Sequence, residues 1–361
     1  MQLEEILNQA LRTPKADPQA SEMFLGRHQT MPRYAIGKNM ETLAVHRIAP
    51  LDGIIDDSAQ LGGVWQGIPL LNTGNAIKNA CVVNCSTSIR PVDTLDHLRR
   101  SGFRAVIGIA DLVRATGGAL PWPHFVQAQR LEMQRHLDAW QALYDELADE
   151  VSRNTLLDVL RFRLSADPTY MRGYRVRLSE QYFEDFMQYH EEVFVDAGGY
   201  DGDTSEAFAA RYPDYKKILV FEPSERNMAL ARMRLASVRD VEFFNLGLSD
   251  SAGRLRFDSD SGSASAITDV GPEEIVVDTL DAAVNNPVSF IKMDLEGWEI
   301  PALRGAQGHL RHDEPKLAIA AYHHAADLRQ IYQLVVSFSH RYRVYLRHYT
   351  QGWSETVLFF R

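Results

Sequence analysis

Short apolar runs alternate with segments of helical periodicity in two separate parts of this 361-residue chain. In the first part, the runs lie at residues 34–37, 51–55, 80–83 and 104–109, and the helical patterns at 39–47 and 92–100. Strands that alternate with helices at this spacing predict βαβ units and a parallel sheet.

The second part shows the same alternation. Its predicted strands lie at residues 193–196, 218–221, 241–244, 290–293 and 317–320. Two further strands, at 342–347 and 356–360, are too close together for an intervening helix and therefore predict an antiparallel hairpin. We expect an α/β fold with a mixed, mostly parallel sheet that ends in this hairpin.

The same pattern divides the chain into three segments. We expect a Rossmann-like α/β domain at residues 1–118, a helical connector at 119–190 and a second α/β domain at 191–361. The connector carries one apolar seam with members at steps of four and three: Met133, Leu137, Trp140, Tyr144, Leu147 and Val151. A packed connecting helix is favoured because the repeat is short, and the alternative is a coiled coil that forms a homodimer.

Composition and charge exclude several classes of protein. With 45% hydrophobic and 24% charged residues, the chain is typical of globular proteins. Its net charge of −10 does not favour a nucleic-acid partner. No apolar run approaches the roughly 18 residues of a membrane span, and the amphipathic start indicates a docked helix rather than a signal peptide. The two cysteines, Cys81 and Cys85, are expected to be buried thiols of a cytoplasmic protein.

The strongest local signal is a glycine-rich turn that follows a predicted strand. Asp196 ends the strand, the turn runs through Gly198, Gly199 and Gly202, and a helix opens near Asp203. Glycines let a ligand approach the backbone closely, and a helix N-terminus offers free N–H groups to an anion. The alternative is a tight turn between strand and helix that binds nothing.

Two acidic residues indicate which ligand this turn would take. Glu222 ends the next strand, where a carboxylate is placed to accept both hydroxyls of an adenosine ribose. Asp196 stands where a dinucleotide fingerprint carries no acid, and an anion there would repel a pyrophosphate. It would suit an amino group, which favours S-adenosylmethionine (SAM) over NAD.

Further polar residues follow two later strands. Asp294 and Glu296 come after the run at 290–293, and His323 and His324 come after the run at 317–320. Ligands of open α/β sheets bind at this edge, so we expect Asp294, Glu296 and His323 to converge on one cleft. The alternatives are that Glu296 caps the following helix and that His324 is solvated.

Together with shorter motifs, these residues resemble the FkbM-type SAM-dependent methyltransferases. The motifs are DAGGYDG (196–202), FEP (221–223), NLGL (245–248), VDTLD (277–281), IKMDLEG (291–297), RGA (304–306) and YH (322–323). Their combined order is more specific than any one motif and covers a little under half of the chain. One departure is Gly199-Tyr200, where family members often have Ala-Asn.

The resemblance implies a class I methyltransferase sheet and O-methylation of a sugar, a glycan or another hydroxyl-bearing natural product. It also implies roles for single residues. Asp196 and Gly198 would line the methionine end of the cofactor, with Gly199 and Gly202 in the same turn. Glu222 would hold the ribose and Asn245 would lie near the adenine. Asp294, Glu296 and His323 would face the acceptor.

A sugar hydroxyl is a weak nucleophile at neutral pH, so methyl transfer to it benefits from a general base. His323 is expected to titrate in the useful range with Asp294 orienting it, and the reverse assignment is nearly as well supported. The same cluster offers Mg²⁺ ligands, but a metal is not the favoured interpretation.

The N-terminal segment leaves two functions open. Its Gly37-Lys38-Asn39 turn departs from the G-x-G-x-x-G pattern, so a degenerate scaffold is favoured over a nucleotide or nucleotide-sugar site with Asp56 on the ribose. For the whole chain, the alternative to a methyltransferase is a nucleotide-binding or assembly protein without methyl transfer.

Overall fold

The computed structural model describes residues 2–12, 18–26, 31–60, 62–258, 266–267 and 273–361. The chain forms two compact units. The first contains Met1–Trp140, Asn154–Arg177 and Tyr349–Ser354, and the second contains Gln141–Arg153, Leu178–His348 and Glu355–Arg361. The three segments expected from the sequence, divided after residues 118 and 190, stay a prediction.

The first unit contains a six-stranded sheet. Its strands are β1 (Arg33–Ile36), β2 (Gly53–Ile55), β3 (Val64–Trp65), β4 (Ile68–Leu71), β5 (Cys81–Asn84) and β6 (Ala105–Gly108). They lie in the order β3-β4-β2-β1-β5-β6, and neighbours are parallel except for the β3–β4 pair. The predicted parallel sheet is confirmed, whereas the short strands β3 and β4 were not expected from the sequence.

Helices precede, connect and follow these strands. They are α1 (Gln2–Leu11), α2 (Pro18–Leu25), α3 (Met40–Ile48), α4 (Pro91–Arg100), α5 (Ile109–Ala115), α6 (His124–Glu146) and α7 (Glu150–Ser165). Asn39 caps α3 by accepting a hydrogen bond from the Thr42 amide at 3.0 Å. The core of the unit contains the buried side chains of Phe24, Val45 and Leu112.

The predicted apolar seam is only partly right. Met133, Trp140 and Leu147 are buried, but Val151 is 56% exposed. The seam ends because α6 stops at Glu146 and Val151 lies in the next helix, α7. A seam that continues to Val151 is therefore wrong, and the homodimer stays a prediction.

Both cysteines are buried in the first unit and neither forms a disulfide, as predicted. Burial raises the pKa of the Cys85 thiol to about 12, because a thiolate is poorly solvated there. We expect neither thiol of the native protein to react with a disulfide reagent at pH 8 within minutes. Both should react once guanidinium chloride unfolds the chain. Rapid labelling of the native protein would contradict the burial of these side chains.

The second unit contains a seven-stranded sheet. Its strands are β7 (Val193–Ala197), β8 (Lys217–Phe221), β9 (Val241–Phe244), β14 (Phe290–Met293), β15 (Lys316–Ala320), β16 (Val344–His348) and β17 (Thr356–Phe360). The order is β16-β17-β15-β14-β7-β8-β9. β17 is antiparallel to both of its neighbours and the remaining pairs are parallel. The mostly parallel sheet and its terminal hairpin are confirmed.

A smaller sheet and several helices complete this unit. The small sheet contains β10 (Gly247–Leu248), β11 (Gly253–Asp258), β12 (Ala266–Ile267) and β13 (Glu273–Asp278). The helices are α8 (Asp203–Arg211), α9 (Glu225–Arg234), α10 (Leu280–Ala283), α11 (Glu299–Gly305), α12 (Gln307–His312) and α13 (Asp327–Phe338). Among the described residues, no helix combines the length and the apolar character needed to cross a bilayer.

The central strands of the large sheet are buried on both faces. Phe194 on β7 stacks on Phe290 of β14, with ring centroids 4.7 Å apart. Apolar runs covered on both faces are typical of parallel sheets. Because β7, β8, β14 and β15 are parallel, their carboxyl ends meet at one edge, and the predicted site residues follow these ends.

Candidate active site

The glycine turn packs tightly against the neighbouring strand. Gly198 has φ +79°, and a Cβ atom there would lie 2.0 Å from the carbonyl oxygen of Asp294. Gly202, with φ +86°, precedes α8 as its N-cap. The amides of Gly198 and Gly199 both donate to the carbonyl oxygen of Phe221, at 3.0 and 2.9 Å. Packing therefore explains why the turn needs glycine, whether or not it also binds a ligand.

Asp196 lies in a fully buried ion pair. Its Oδ1 accepts from Lys292 Nζ at 3.0 Å, and its Oδ2 accepts from Ser205 Oγ at 2.6 Å. An anion at Asp196 was expected to repel a pyrophosphate, but Lys292 balances the charge of this carboxylate and so weakens that repulsion. Contact between Asp196 and a cofactor stays a prediction.

Lys292 also fixes the turn itself. Its Nζ donates to the carbonyl oxygen of Gly198 at 2.8 Å. Burial lowers the pKa of Lys292, but the carboxylates of Asp196 and Asp294 outweigh this effect and raise the pKa overall. The signal that could have revealed Lys292 was a charged residue inside an apolar strand, which requires a buried partner.

Glu222 is held at the carboxyl end of β8. Its Oε2 accepts from the Tyr200 amide at 3.0 Å, and its Oε1 accepts from the Ser224 amide at 2.9 Å. Burial raises the pKa of this carboxyl group. Asn245 lies beside it, with Nδ2 donating to the carbonyl oxygens of Glu222 and Pro223. Glu222, Asn245 and the glycine turn are thus brought together, as the motifs predicted.

His323 lies among three carboxylates. Its Nε2 is 3.5 Å from Asp294 Oδ1 and 3.3 Å from Glu296 Oε2, while its Nδ1 is 3.3 Å from Glu299 Oε1. The predicted convergence of Asp294, Glu296 and His323 is present in the structure. His324 lies outside this cluster and pairs with Asp327 at 3.4 Å. The catalytic roles of the cluster stay predictions.

The carboxylates change the protonation of His323. Burial acts against the imidazolium ion, but Glu296, Glu299 and Asp294 outweigh it and raise the pKa of His323 to about 11. The expectation that His323 titrates near neutral pH is therefore wrong for this arrangement. The reason is that three carboxylates surround the ring. The position of a histidine after a strand does not reveal how many acidic side chains will lie near it.

A hydrogen-bond network adds residues that the sequence did not indicate. Tyr182 donates its hydroxyl to Asp294 Oδ2 at 2.8 Å, and Gln181 Nε2 donates to Glu355 Oε2 at 2.9 Å and to the Tyr182 hydroxyl at 3.0 Å. Burial and the charge of Asp294 raise the pKa of Glu355 to about 7. Tyr182 and Glu355 come from distant parts of the chain, so no local pattern marks them.

In the first unit, the residues considered for a nucleotide site form contacts within the protein. Asp56 pairs with Lys38 at 2.7 Å, and hydrogen bonds from Lys38 and Ser58 lower the pKa of Asp56 to about 2. Asn39 Nδ2 donates to the carbonyl oxygen of Cys85 at 2.7 Å, across the ends of β1 and β5. A nucleotide site there stays a prediction.

The strand order of the second unit and the acidic site at its edge define a methyltransferase-like α/β fold. Residues 196–350 match the family model of the methyltransferase FkbM domain. The resemblance predicted from the sequence is thereby confirmed over this range.

Among solved structures, a methyltransferase FkbM from Methylobacillus flagellatus KT is similar over 100% of this chain and 99% of its own, with 22% identity and a TM-score of 0.75. Aeropyrum pernix fibrillarin with natively bound SAM is 12% identical, with a TM-score of 0.35 over 53% of this chain and 76% of its own. That second likeness is too remote to support an inference. None of the curated proteins matches the sequence.

Proposed function

We propose that this protein is a SAM-dependent O-methyltransferase that acts on a hydroxyl group of a sugar, a glycan or another natural product. The observation that supports this most is the position of Glu222. It is a buried carboxylate, fixed by two backbone amides, next to a glycine turn at the edge where Asp294, Glu296 and His323 converge. The methyltransferase FkbM domain at residues 196–350 supports the same chemistry.

The polar side chains at this edge of the sheet are suited to bind SAM. Glu222 offers a carboxylate to the two ribose hydroxyls, because carboxylate oxygens accept several hydrogen bonds. Asn245 lies next to Glu222, on the side proposed for the adenine. Asp294, whose carbonyl oxygen lies beside Gly198, supplies negative charge near the positively charged end of the cofactor.

When bound, SAM supplies an electrophilic methyl group on a sulfonium sulfur. The protein has to hold the acceptor oxygen in line with that group and to accept the proton of the acceptor hydroxyl. We assign the proton to Glu296, whose side chain is 24% exposed and whose Oε2 lies 3.3 Å from His323 Nε2. The ring of His323 holds this carboxylate in place.

The backbone of Glu296 supports this assignment. Its φ is +52°, in the left-handed region that a residue with a side chain rarely adopts. Such strain is concentrated at functional sites, where the surrounding structure holds it. The identity of the acceptor, a cytoplasmic location and a homodimer remain predictions.

A binding experiment tests the cofactor. S-adenosylhomocysteine at about 100 times its Kd stabilises a native protein by about 2.7 kcal/mol, so we expect its thermal unfolding midpoint to rise by several degrees. NAD at the same concentration should leave it unchanged. A response to nucleotide sugars but not to S-adenosylhomocysteine would refute the proposal and favour the binding protein without methyl transfer. SAM turnover with a library of nucleotide sugars and glycans would then identify the acceptor.

A further inference from the structure

Glu355 lies at the same edge of the large sheet as the predicted site residues. It precedes β17, which runs antiparallel to β15, so the start of β17 lies beside the carboxyl end of β15. Its Oε2 accepts from Gln181 Nε2 at 2.9 Å, and the same amide nitrogen donates to the Tyr182 hydroxyl at 3.0 Å. That hydroxyl donates to Asp294 Oδ2 at 2.8 Å. A short chain of polar side chains therefore joins the carboxylates of Glu355 and Asp294.

The backbone at two members of this chain is strained. The φ angles of Tyr182 and Glu355 are +72° and +64°, in the left-handed region that a residue with a side chain rarely adopts. Such strain persists only where the surrounding structure holds it, and it is concentrated at functional sites. The strain therefore indicates that the position of the Glu355 carboxylate serves the site and not only the hairpin.

The charges at this edge are predominantly negative. Four carboxylates lie near the ring of His323, and they belong to Asp294, Glu296, Glu299 and Glu355. The imidazolium of His323 balances one of them, while Lys292 is paired with Asp196 at 3.0 Å. Within the described residues, Asp294 Oδ1 is buried and forms no hydrogen bond of normal geometry. Because buried charges are stable only when they are paired, this edge is suited to a cationic group of a ligand.

The neighbouring carboxylate changes the protonation of Glu355. Burial and the charge of Asp294 raise the pKa of Glu355 to about 7. Gln181, His323 and Tyr322 face the same carboxylate and act in the opposite direction. Glu355 therefore carries its full charge only above neutral pH, and a cation bound nearby would favour the ionised form.

We propose that Asp294 and Glu355 recognise the positive charge of the sulfonium, so that the site holds SAM more tightly than S-adenosylhomocysteine. This inference rests on the proposed function. The backbone of Asp294 packs against Gly198, in the turn assigned to the methionine end of the cofactor. SAM and S-adenosylhomocysteine share the adenine, the ribose and the amino-acid group. They differ in the methyl group and in the charge that it places on the sulfur.

The reaction itself removes this charge. The methyl group moves to the acceptor oxygen, the electron pair of the broken C–S bond stays on the sulfur, and the proton of the acceptor hydroxyl passes to Glu296. The neutral sulfur of the product no longer attracts Asp294 and Glu355. The product therefore leaves the site more readily than the substrate does.

Calorimetry of the full-length protein with SAM and with S-adenosylhomocysteine tests the inference through the ratio of the two dissociation constants. At pH 7.5 we expect SAM to bind at least about tenfold more tightly, since charges interact more strongly inside a protein than in water. Glu355→Gln keeps an acceptor oxygen for Gln181 and should reduce the ratio at least about threefold, because it removes one of the two charges. Damage to the fold would weaken both ligands, whereas loss of the charge changes their ratio.

Glu314→Gln is the matched control. Glu314 also has a left-handed φ, +46°, and its carboxylate accepts from Ser339 Oγ at 2.6 Å. It precedes β15 at the opposite edge of the sheet, so its substitution removes the same charge and should leave the ratio unchanged. Thermal unfolding identifies a variant that fails to fold.

The wild-type protein provides a second test that needs no variant. Glu355 is mostly protonated at pH 5.5 and mostly ionised at pH 7.5, so the preference for SAM should be larger at the higher pH. Titration of Glu222 affects both ligands alike, because they share the ribose. The rise should be absent from Glu355→Gln.

Two outcomes would overturn the charge recognition and leave the proposed function intact. One is equal affinity of the wild type for SAM and S-adenosylhomocysteine. The other is a preference for SAM that neither the lower pH nor a folded Glu355→Gln variant reduces. A protein that binds neither ligand would instead refute the proposed function, and this inference with it.

Discussion

Glu222→Ala should weaken the binding of S-adenosylhomocysteine at least about tenfold, a loss of about 1.4 kcal/mol. The carboxylate of Glu222 is the group assigned to both ribose hydroxyls, and hydrogen bonds to a charged acceptor each contribute about 1.5 to 3 kcal/mol. Its two oxygens are already oriented by the amides of Tyr200 and Ser224. Isothermal titration calorimetry on the purified full-length variant measures the change.

Two further variants separate the ribose contact from damage to the turn. Glu222→Gln keeps the size of the side chain and one acceptor oxygen, so its affinity should lie between those of the wild type and the alanine variant. Glu225→Ala removes the same charge from an exposed position three residues later and should bind normally. An alanine variant that folds and keeps its full affinity would remove Glu222 from the cofactor site.

His323→Asn should retain S-adenosylhomocysteine binding and lose at least about 100-fold in methyl transfer. General acid–base catalysis contributes about 10²- to 10⁴-fold, and His323 positions the group assigned to take the proton. The ring of His323 contacts Asp294, Glu296 and Glu299 at 3.3 to 3.5 Å, whereas the ribose hydroxyls of the cofactor are assigned to Glu222. Initial rates at saturating SAM, once an acceptor is known, give the turnover number. Calorimetry gives the affinity.

The neighbouring histidine, His324, serves as the control for His323→Asn. His324→Asn should keep normal turnover, because its side chain is largely exposed and pairs with Asp327 instead of the cluster. Equal losses of affinity and turnover in His323→Asn would indicate general damage to the edge of the sheet. Unchanged turnover would exclude His323 from the reaction.

The sequence was sufficient for the parts of the fold that depend on local pattern. The runs at 241–244, 290–293 and 356–360 coincide with β9, β14 and β17. For β14 and β17 the reason is that strands buried on both faces are predominantly apolar. The same pattern placed Asp196, Glu222 and Asp294 at one edge, since parallel strands end on the same side. What failed was the length of a helical repeat, because α6 ends at Glu146 and Val151 lies in the next helix.

The chemistry of the site depends on pairs that are distant in sequence. Whether Asp196 is a free anion depends on Lys292, and the protonation of His323 depends on Glu299 as well as on the predicted Asp294 and Glu296. Tyr182 reaches Asp294 from a segment with no motif of its own. Electrostatic interactions act through space. Residue type and strand position therefore predicted which ionisable groups lie at the site, but not the charge that each of them carries.

The ammonium of Lys292 gives the glycine turn a property that matters for recognition. It ties the Asp196 carboxylate to the carbonyl oxygen of Gly198 from inside the sheet, so the loop is braced before any small molecule arrives. In the proposed SAM site the turn would thus be ordered before binding, so little of the binding free energy would be lost to ordering flexible backbone.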